Sequence, residues 1–271
     1  HALSTRNIIS MIFLLTNEII VLYYFKFFQM ISSRQIKFIN SLKSNKYRIK
    51  YNCFLAEGDN VINEFIKSKF IVREVFAIDV SKINCNYTES LSLKELKKIT
   101  SFKNPANSLA VIEKKNIDFD IDKILNSKIS LFLDDITDPG NFGTIIRTAD
   151  WFGFSNIYTS KKSCDFYNPK VIQSSMGSAS RVVVHKINLF DVLNEIKNKN
   201  IKCYGATVSG CSIKKFIADE QFALIFGNES HGINKQILEI LDKNISVPSH
   251  NSSVESLNVS VAFGIILSEI R

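Results

Sequence analysis

The chain of 271 residues is poor in the side chains that build metal centres. It has four histidines and five cysteines, at positions 53, 85, 164, 203 and 211, and no C-x-x-C pair. An odd, widely spaced set of cysteines excludes a disulfide framework and a zinc-finger pattern; it reads as reduced thiols in a cytoplasmic protein with no metal site. The few histidines read as ordinary core or surface residues. No G-x-G-x-x-G turn is present, so a Rossmann-type nucleotide site lacks its phosphate-cradling signature. Internal repeats and low-complexity tracts are also missing. What remains is a chain with 45% hydrophobic residues, long enough for two modest domains, each with its own core.

Acidic residues are missing from one stretch in particular. Residues 34–50 carry Arg34, Lys37, Lys43, Lys46, Arg48 and Lys50 without a single Asp or Glu. The net charge of +8 is uneven: residues 30–112 hold 14 Lys/Arg against 7 Asp/Glu, or +7, and residues 113–271 hold 18 of each. A basic front half beside a neutral back half reads as a polyanion-gripping module attached to a chemistry module, with the six cations of 34–50 as the RNA-facing candidates. A solvated lysine-rich surface is the alternative reading of the same charges.

Residues 8–28 contain 16 apolar residues in 21, a length that can span a bilayer. Thr16, Asn17 and Glu18 in the middle oppose that, since a central carboxylate is expensive in lipid, and no small-residue cleavage site follows. Residues 1–29 are therefore expected to be an extension outside the conserved fold, with a membrane anchor as the alternative.

Periodicity predicts a basic helix over 33–50, a strand at 53–56, a helix at 59–68, a strand at 72–78, a helix at 93–99 and a strand at 109–113. Alternating elements in so short a span make a small α/β unit, residues 30–113. A polar linker is expected at 114–122. The rest, 123–271, reads as strands at 129–133, 156–159, 182–185, 202–207, 222–226 and 244–247, with helices at 144–152, 168–177, 189–198, 234–241 and 257–270. These strands are mostly apolar, as in a parallel sheet covered on both faces.

Three segments at predicted strand ends carry the chemistry. Asp134-Asp-Ile-Thr-Asp-Pro-Gly-Asn-Phe-Gly143 joins a strand to a helix bearing Arg147, Gly227-Asn-Glu-Ser-His-Gly232 is a glycine-bracketed acidic turn, and Ser256-Leu-Asn-Val-Ser-Val-Ala262 opens the last helix. In order and spacing these resemble the N-x-G-x-x-x-R, G-x-E-x-x-G and S-L-N-V-S-V-A motifs of the SpoU family of RNA ribose 2′-O-methyltransferases. The front unit, through Phe54-Leu-Ala-Glu-Gly58 and Asn104-Pro-Ala-Asn-Ser-Leu-Ala-Val111, resembles the substrate-binding domain, similar to ribosomal protein L30e, that precedes many such catalytic domains.

The resemblance implies more than the pattern alone. Chain-topology rules predict an unknotted doubly wound sheet, whereas the family implies a trefoil-knotted α/β methyltransferase domain. It implies S-adenosylmethionine as cofactor, held by Gly227, Val247 and Leu257, with Ala206, Thr207, Phe226 and Ser256 at neighbouring strand ends. It implies structured RNA as substrate, ribosomal RNA before transfer RNA, and a homodimer whose active sites are completed across the interface. Arg147, Asn141, Glu229, Ser256 and Asn258 become the catalytic candidates. A guanidinium holds its proton too tightly to be a good base, so Arg147 is expected to bind phosphate and stabilise the developing alkoxide. Two departures stand out: Pro248 to Ser256 is eight steps with no glycine at 249–253, and Ser230 stands where glycine is frequent. A non-catalytic RNA-binding protein on the same scaffold is the competing reading.

Overall fold

The computed structural model describes residues 30–249, 253 and 255–270. The apolar stretch at 8–28 lies outside the described residues, and within them no helix is long and apolar enough to cross a membrane.

The basic segment forms two helices rather than one. Helix α1 (Ser33–Ser41) begins at a Ser32 capping box with Gln35, and α2 (Asn45–Tyr51) follows a break at 42–44. The break has a physical cause. Leu42 is fully buried, and the Arg48 guanidinium turns back to donate to the carbonyls of Leu42 and Lys43 at 2.9 and 2.8 Å. It thereby satisfies acceptors that a helix end leaves orphaned.

Strands β1 (Cys53–Glu57), β2 (Val72–Ala77), β3 (Glu89–Ser90) and β4 (Ser108–Glu113) form one sheet in the order β1-β4-β2-β3. Helix α3 (Asp59–Lys67) contributes to the core on one face, and α1 with α4 (Leu93–Ile99) to the core on the other. Strand alternation sends Phe54, Ala56, Val75 and Ala77 to the first core, and Cys53, Leu55 and Phe76 to the second. The expected linker is irregular up to a short helix α5 (Asp122–Leu125), whose Ile124 is buried.

The second sheet has six parallel strands in the order β10-β8-β9-β5-β6-β7: β5 (Ile129–Leu133), β6 (Asn156–Ser160), β7 (Val183–Ile187), β8 (Lys202–Ser212), β9 (Phe222–Phe226) and β10 (Lys243–Ser246). Helices α6 (Pro139–Trp151), α7 (Pro169–Ser174), α8 (Leu189–Lys197), α9 (Lys235–Ile240) and α10 (Val259–Ile270) accompany it. Two apolar clusters cover its two faces, which is why the central strands β5 and β9 are buried almost throughout. Helix α6 begins five residues before the expected 144, because Asp138 caps it and Pro139 sits at its first position. Strand β8 runs beyond the expected 207. Tyr204 and Gly205 pair with Lys243 and Asn244, Cys211 and Ser212 with Ile245 and Ser246, and 206–210 stay outside that pairing.

The two sheets share a core through the segment 164–181. Tyr167, Ile172 and Ala179 belong to the apolar cluster of the first unit, and the Tyr167 ring lies 4.8 Å from that of Phe54. Ion pairs flank this seam: Arg48 with Asp165 at 2.7 Å, and Arg181 with both Asp150 and Glu64. Gly177, at φ +95°, is required here, since a Cβ would fall 2.8 Å from Cγ of Glu64.

Candidate active site

Parallel strands place all their carboxyl-terminal loops on one rim. Leu133, Phe226 and Ala206 are in register across β5, β9 and β8, so the loops that follow them emerge side by side. The backbone N–H of Asp134 donates to the Phe226 carbonyl at 2.8 Å, fastening the first motif to the second.

Side chains bind the three motifs more tightly. The Asn141 amide donates to Glu229 at 2.9 Å, and its oxygen accepts from the Asn258 amide at 2.9 Å. One side chain from each motif therefore stands in a single line, Glu229–Asn141–Asn258. Its members are locally fixed. The Asn141 N–H is held by the capping Asp138 at 2.7 Å, and the Asn258 oxygen accepts from the Ser260 N–H at 2.9 Å and its hydroxyl at 2.6 Å. Asn258, rather than Ser256, is thus the cap of α10.

Arg147 lies on the exposed face of α6 and makes no ion pair or side-chain hydrogen bond among the described residues. An exposed guanidinium with no partner among the described residues is available to an incoming anion. Ser256 is also exposed. Among the expected cofactor residues, Ala206 and Val247 are half-buried and packed on the core, Thr207 is half-buried, and Leu257 is 46% exposed. Phe226 behaves differently: its ring is buried against Phe263, 4.7 Å between centroids, and its carbonyl is taken by Asp134. Gly227 has a structural need of its own. A Cβ there would lie 2.3 Å from the backbone of Gly232 and Ile233, so only glycine lets the second-motif turn close through the Asn228–Gly232 bridge. Gly264 is not so constrained, since an added Cβ would meet Thr148 at an ordinary 3.8 Å.

Sequence reasoning passed over the residues that stitch these loops. The Asn228 amide donates to the Asp135 carbonyl at 2.7 Å, in a turn where Asp135 sits at φ 61°. His231 lies 3.4 Å from the Asp135 carboxylate. The buried Asp134 accepts from the N–H of Asn234 at 2.8 Å, and burial is the main cause that raises its carboxyl above the usual range. Adjacent aspartates at a strand end were the available signal. Among the described residues no group of three His, Cys, Asp or Glu is placed to hold a metal ion.

The six basic candidates separate. Arg34, Lys37, Lys46 and Lys50 are exposed, and Lys43 reaches the Thr100 carbonyl at 2.6 Å. Arg48 is a correction: it is 2% exposed and committed to Asp165 and two carbonyls, so it is part of the seam and not of a phosphate-binding face.

Comparison with known proteins agrees with this geometry. Residues 128–268 match the model of the SpoU rRNA Methylase family, and residues 33–110 that of the MRM3-like substrate binding domain. The chain is 31% identical over 245 residues, 88% of its length and 96% of the relative's, to the 23S rRNA (guanosine(2553)-2'-O)-methyltransferase RlmP of Bacillus subtilis (strain 168). The structure of a TrmH-family protein from Porphyromonas gingivalis superposes with a TM-score of 0.79 at 31% identity, covering 90% of this chain and 99% of that one. The SpoU methyltransferase AviRb from Streptomyces viridochromogenes, solved in complex with AdoMet, shares the fold at a TM-score of 0.73 and 24% identity, over 88% of this chain and 97% of that one. With both halves matched and the three motifs joined at one rim, the chain belongs to the SpoU rRNA methylase family.

Proposed function

We propose that this protein methylates a ribose 2′-hydroxyl of ribosomal RNA, using S-adenosylmethionine. The observation that carries the reading is the line Glu229–Asn141–Asn258, one residue from each motif, its Asn141 on the helix that also exposes Arg147, unpaired among the described residues. A relative covering most of the chain is a 23S rRNA 2′-O-methyltransferase, and a fold relative is solved with AdoMet.

In this reading Ala206, Val247 and Leu257 meet the apolar face of the adenosine, and Thr207, Gly227 and Ser256 its polar edges. Bound there, S-adenosylmethionine supplies a methyl group already activated on a sulfonium. The chain then has to align a weak nucleophile and manage its charge. Arg147 holds the phosphate next to the target ribose and stabilises the oxygen as it loses its proton. That proton passes to the substrate phosphate or to water, because the guanidinium is itself protonated. Asn141 keeps Glu229 and Asn258 fixed, so the rim does not reorganise as RNA enters.

The same reading divides the chain into a substrate-binding domain, 30–113, and a methyltransferase domain, 123–271, with the last helix threaded as a knot in a cytoplasmic homodimer. The apolar surface supports the dimer. Trp151 on α6 is 85% exposed, Val261 on α10 is 49% exposed, and the two helices pack against each other. Large apolar groups on adjoining helices mark an association surface. In sedimentation, Trp151→Glu is expected to convert a dimer to a monomer.

Calorimetric titration of S-adenosylmethionine, with ribosomal RNA present and absent, tests the main reading. Micromolar binding retained by Arg147→Ala, together with loss of methyl transfer, is the expected result. No binding at millimolar cofactor in the presence of RNA would overturn it.

A further inference from the structure

The substrate-binding domain carries a surface pocket of about 610 Å³, lined by Arg34, Lys37, Phe38, Tyr47, Tyr51 and Glu74 among others. Its volume is in the range of small-molecule sites. Helices α1 and α2 form its walls, and Glu74 comes from β2. Three features make it more than a surface hollow.

The first is an unspent acceptor. Oε2 of Glu74 is shut off from solvent and has no hydrogen-bond partner among the described residues, although two cations, Arg34 and Lys37, line the same pocket. Neither cation makes an ion pair among the described residues. Buried polar atoms are nearly always partnered, so an orphaned carboxylate oxygen is an acceptor waiting for a donor. The second is aromatic. Tyr47 and Tyr51 stack at 6.1 Å and 13°, Phe38 meets Tyr51 edge-on at 5.2 Å, and Tyr51 remains 37% exposed. The third is charge: Lys46 and Lys50 lie 5.9 and 5.4 Å from the Tyr47 and Tyr51 ring centres, so ammonium groups frame the rings.

Aromatic faces, a buried acceptor and surrounding cations are the parts that bind an unpaired nucleotide: stacking for the base, an edge contact for identity, cations for the phosphates. A carboxylate accepts and never donates, so it selects a base edge made of N–H groups. Guanine offers two adjacent donors, N1–H and the 2-amino group, and meets both carboxylate oxygens once the Glu74 side chain turns Oε2 out to the pocket; the other bases offer one donor or an isolated amino group.

Position completes the case. Arg48, on the same short helix as Tyr47 and Tyr51, is tied to Asp165 at 2.7 Å. The adjacent Cys164 N–H donates to the Ile136 carbonyl at 2.8 Å, inside the first-motif loop. The α2 wall of the pocket is therefore anchored to the rim that carries Asn141 and Arg147.

We infer that this pocket captures one unpaired nucleotide of the RNA strand, guanine preferred, with Tyr47, Tyr51 and Phe38 stacking on the base and Glu74 reading its N–H edge. The inference rests on the RNA-methyltransferase reading for its biological setting, but it is testable apart from it.

The test is fluorescence anisotropy with the full chain and labelled single-stranded RNA hexamers: hexauridine, and the same strand with one central guanine, adenine or cytosine. The guanine probe is expected to bind about tenfold more tightly than hexauridine, the scale of one well-made base contact. Glu74→Gln, which keeps the shape, is expected to erase that preference and leave hexauridine affinity in place. Tyr47→Ala is expected to weaken every probe about tenfold through lost stacking. Equal affinity for all probes, or a guanine preference that survives Glu74→Gln, would overturn the assignment. Guanosine monophosphate binding as tightly as the guanine hexamer would overturn it too, by making the pocket a free-nucleotide site. Cofactor titration and methyl transfer on the same wild-type sample separate the two readings: guanine preference without methyl transfer sinks only the enzymatic reading, and methyl transfer without guanine preference sinks only the pocket.

Discussion

Arg48 and Arg147 are the same residue type in two regions of one molecule, and their surroundings are opposite. At the seam between the sheets, Arg48 is buried and spends its donors on Asp165 and on the carbonyls of Leu42 and Lys43. On α6, Arg147 is exposed with no partner among the described residues, while Asn141 of the same helix is bonded to Glu229 and Asn258. A paired, buried charge holds structure, because removing one partner strands the other in low dielectric. An exposed, unpaired charge is free to meet a ligand. The difference between the two regions lies in how much of each group's bonding capacity the fold has already used.

The sharpest way to break this contrast is to remove each arginine. Arg147→Ala is expected to lower methyl transfer on the order of 10²–10³-fold, the scale of one electrostatic contact at a reacting centre. Its thermal midpoint is expected to stay at the wild-type value, because nothing in the fold depends on the side chain. Arg48→Ala is expected to do the reverse. Loss of the Asp165 pair and of the α1 caps should cost about 3 kcal/mol in urea unfolding, with cofactor affinity intact at temperatures where the protein is folded. Equal destabilisation by both variants would dissolve the comparison.

Two smaller effects sharpen it. Asn141→Ala breaks the line between Glu229 and Asn258, and methyl transfer should fall about tenfold. A double-mutant cycle with Glu229→Ala should give a coupling of about 1 kcal/mol, since the two share one hydrogen bond. Asp134 supplies the smallest effect and a definite sign. Burial, the main cause, raises its carboxyl in the folded protein. The folded state therefore favours the protonated form, and the associated stability is present below the unfolded value of about 3.9 and is lost as pH rises through the folded value. Asp134→Asn should flatten the fall in urea midpoint as pH rises above about 4, and an unchanged slope would count against the buried site as its source.

How far the sequence could be read follows from which forces are local. Strands 129–133 and 222–226 were legible to the residue, because a continuous apolar run bounded by polar turns marks a strand buried on both faces. The three motifs were legible as a set through their spacing. The helix expected over 33–50 was misread, because local periodicity runs across Leu42–Ser44 and the break is made by the Arg48 guanidinium and the burial of Leu42. Arg48 itself read as one more cation in a basic run; its partner Asp165 lies 117 positions away. Gly227 enters the sequence reading only as a cofactor contact; that the space of its missing Cβ is filled by the backbone of Gly232 and Ile233 is visible only in the fold.

The sequence by itself determined the alternation of elements, the charge asymmetry of the two halves and the identity of the residues at the strand ends, because each is written in neighbouring positions. Only the tertiary structure decided which of those residues are already spent. It turned Arg48 inward and left Arg147 free, drew Asn141 between Glu229 and Asn258, and left Glu74 without a donor, since hydrogen-bond partnership is settled by distances in space that no spacing along the chain encodes.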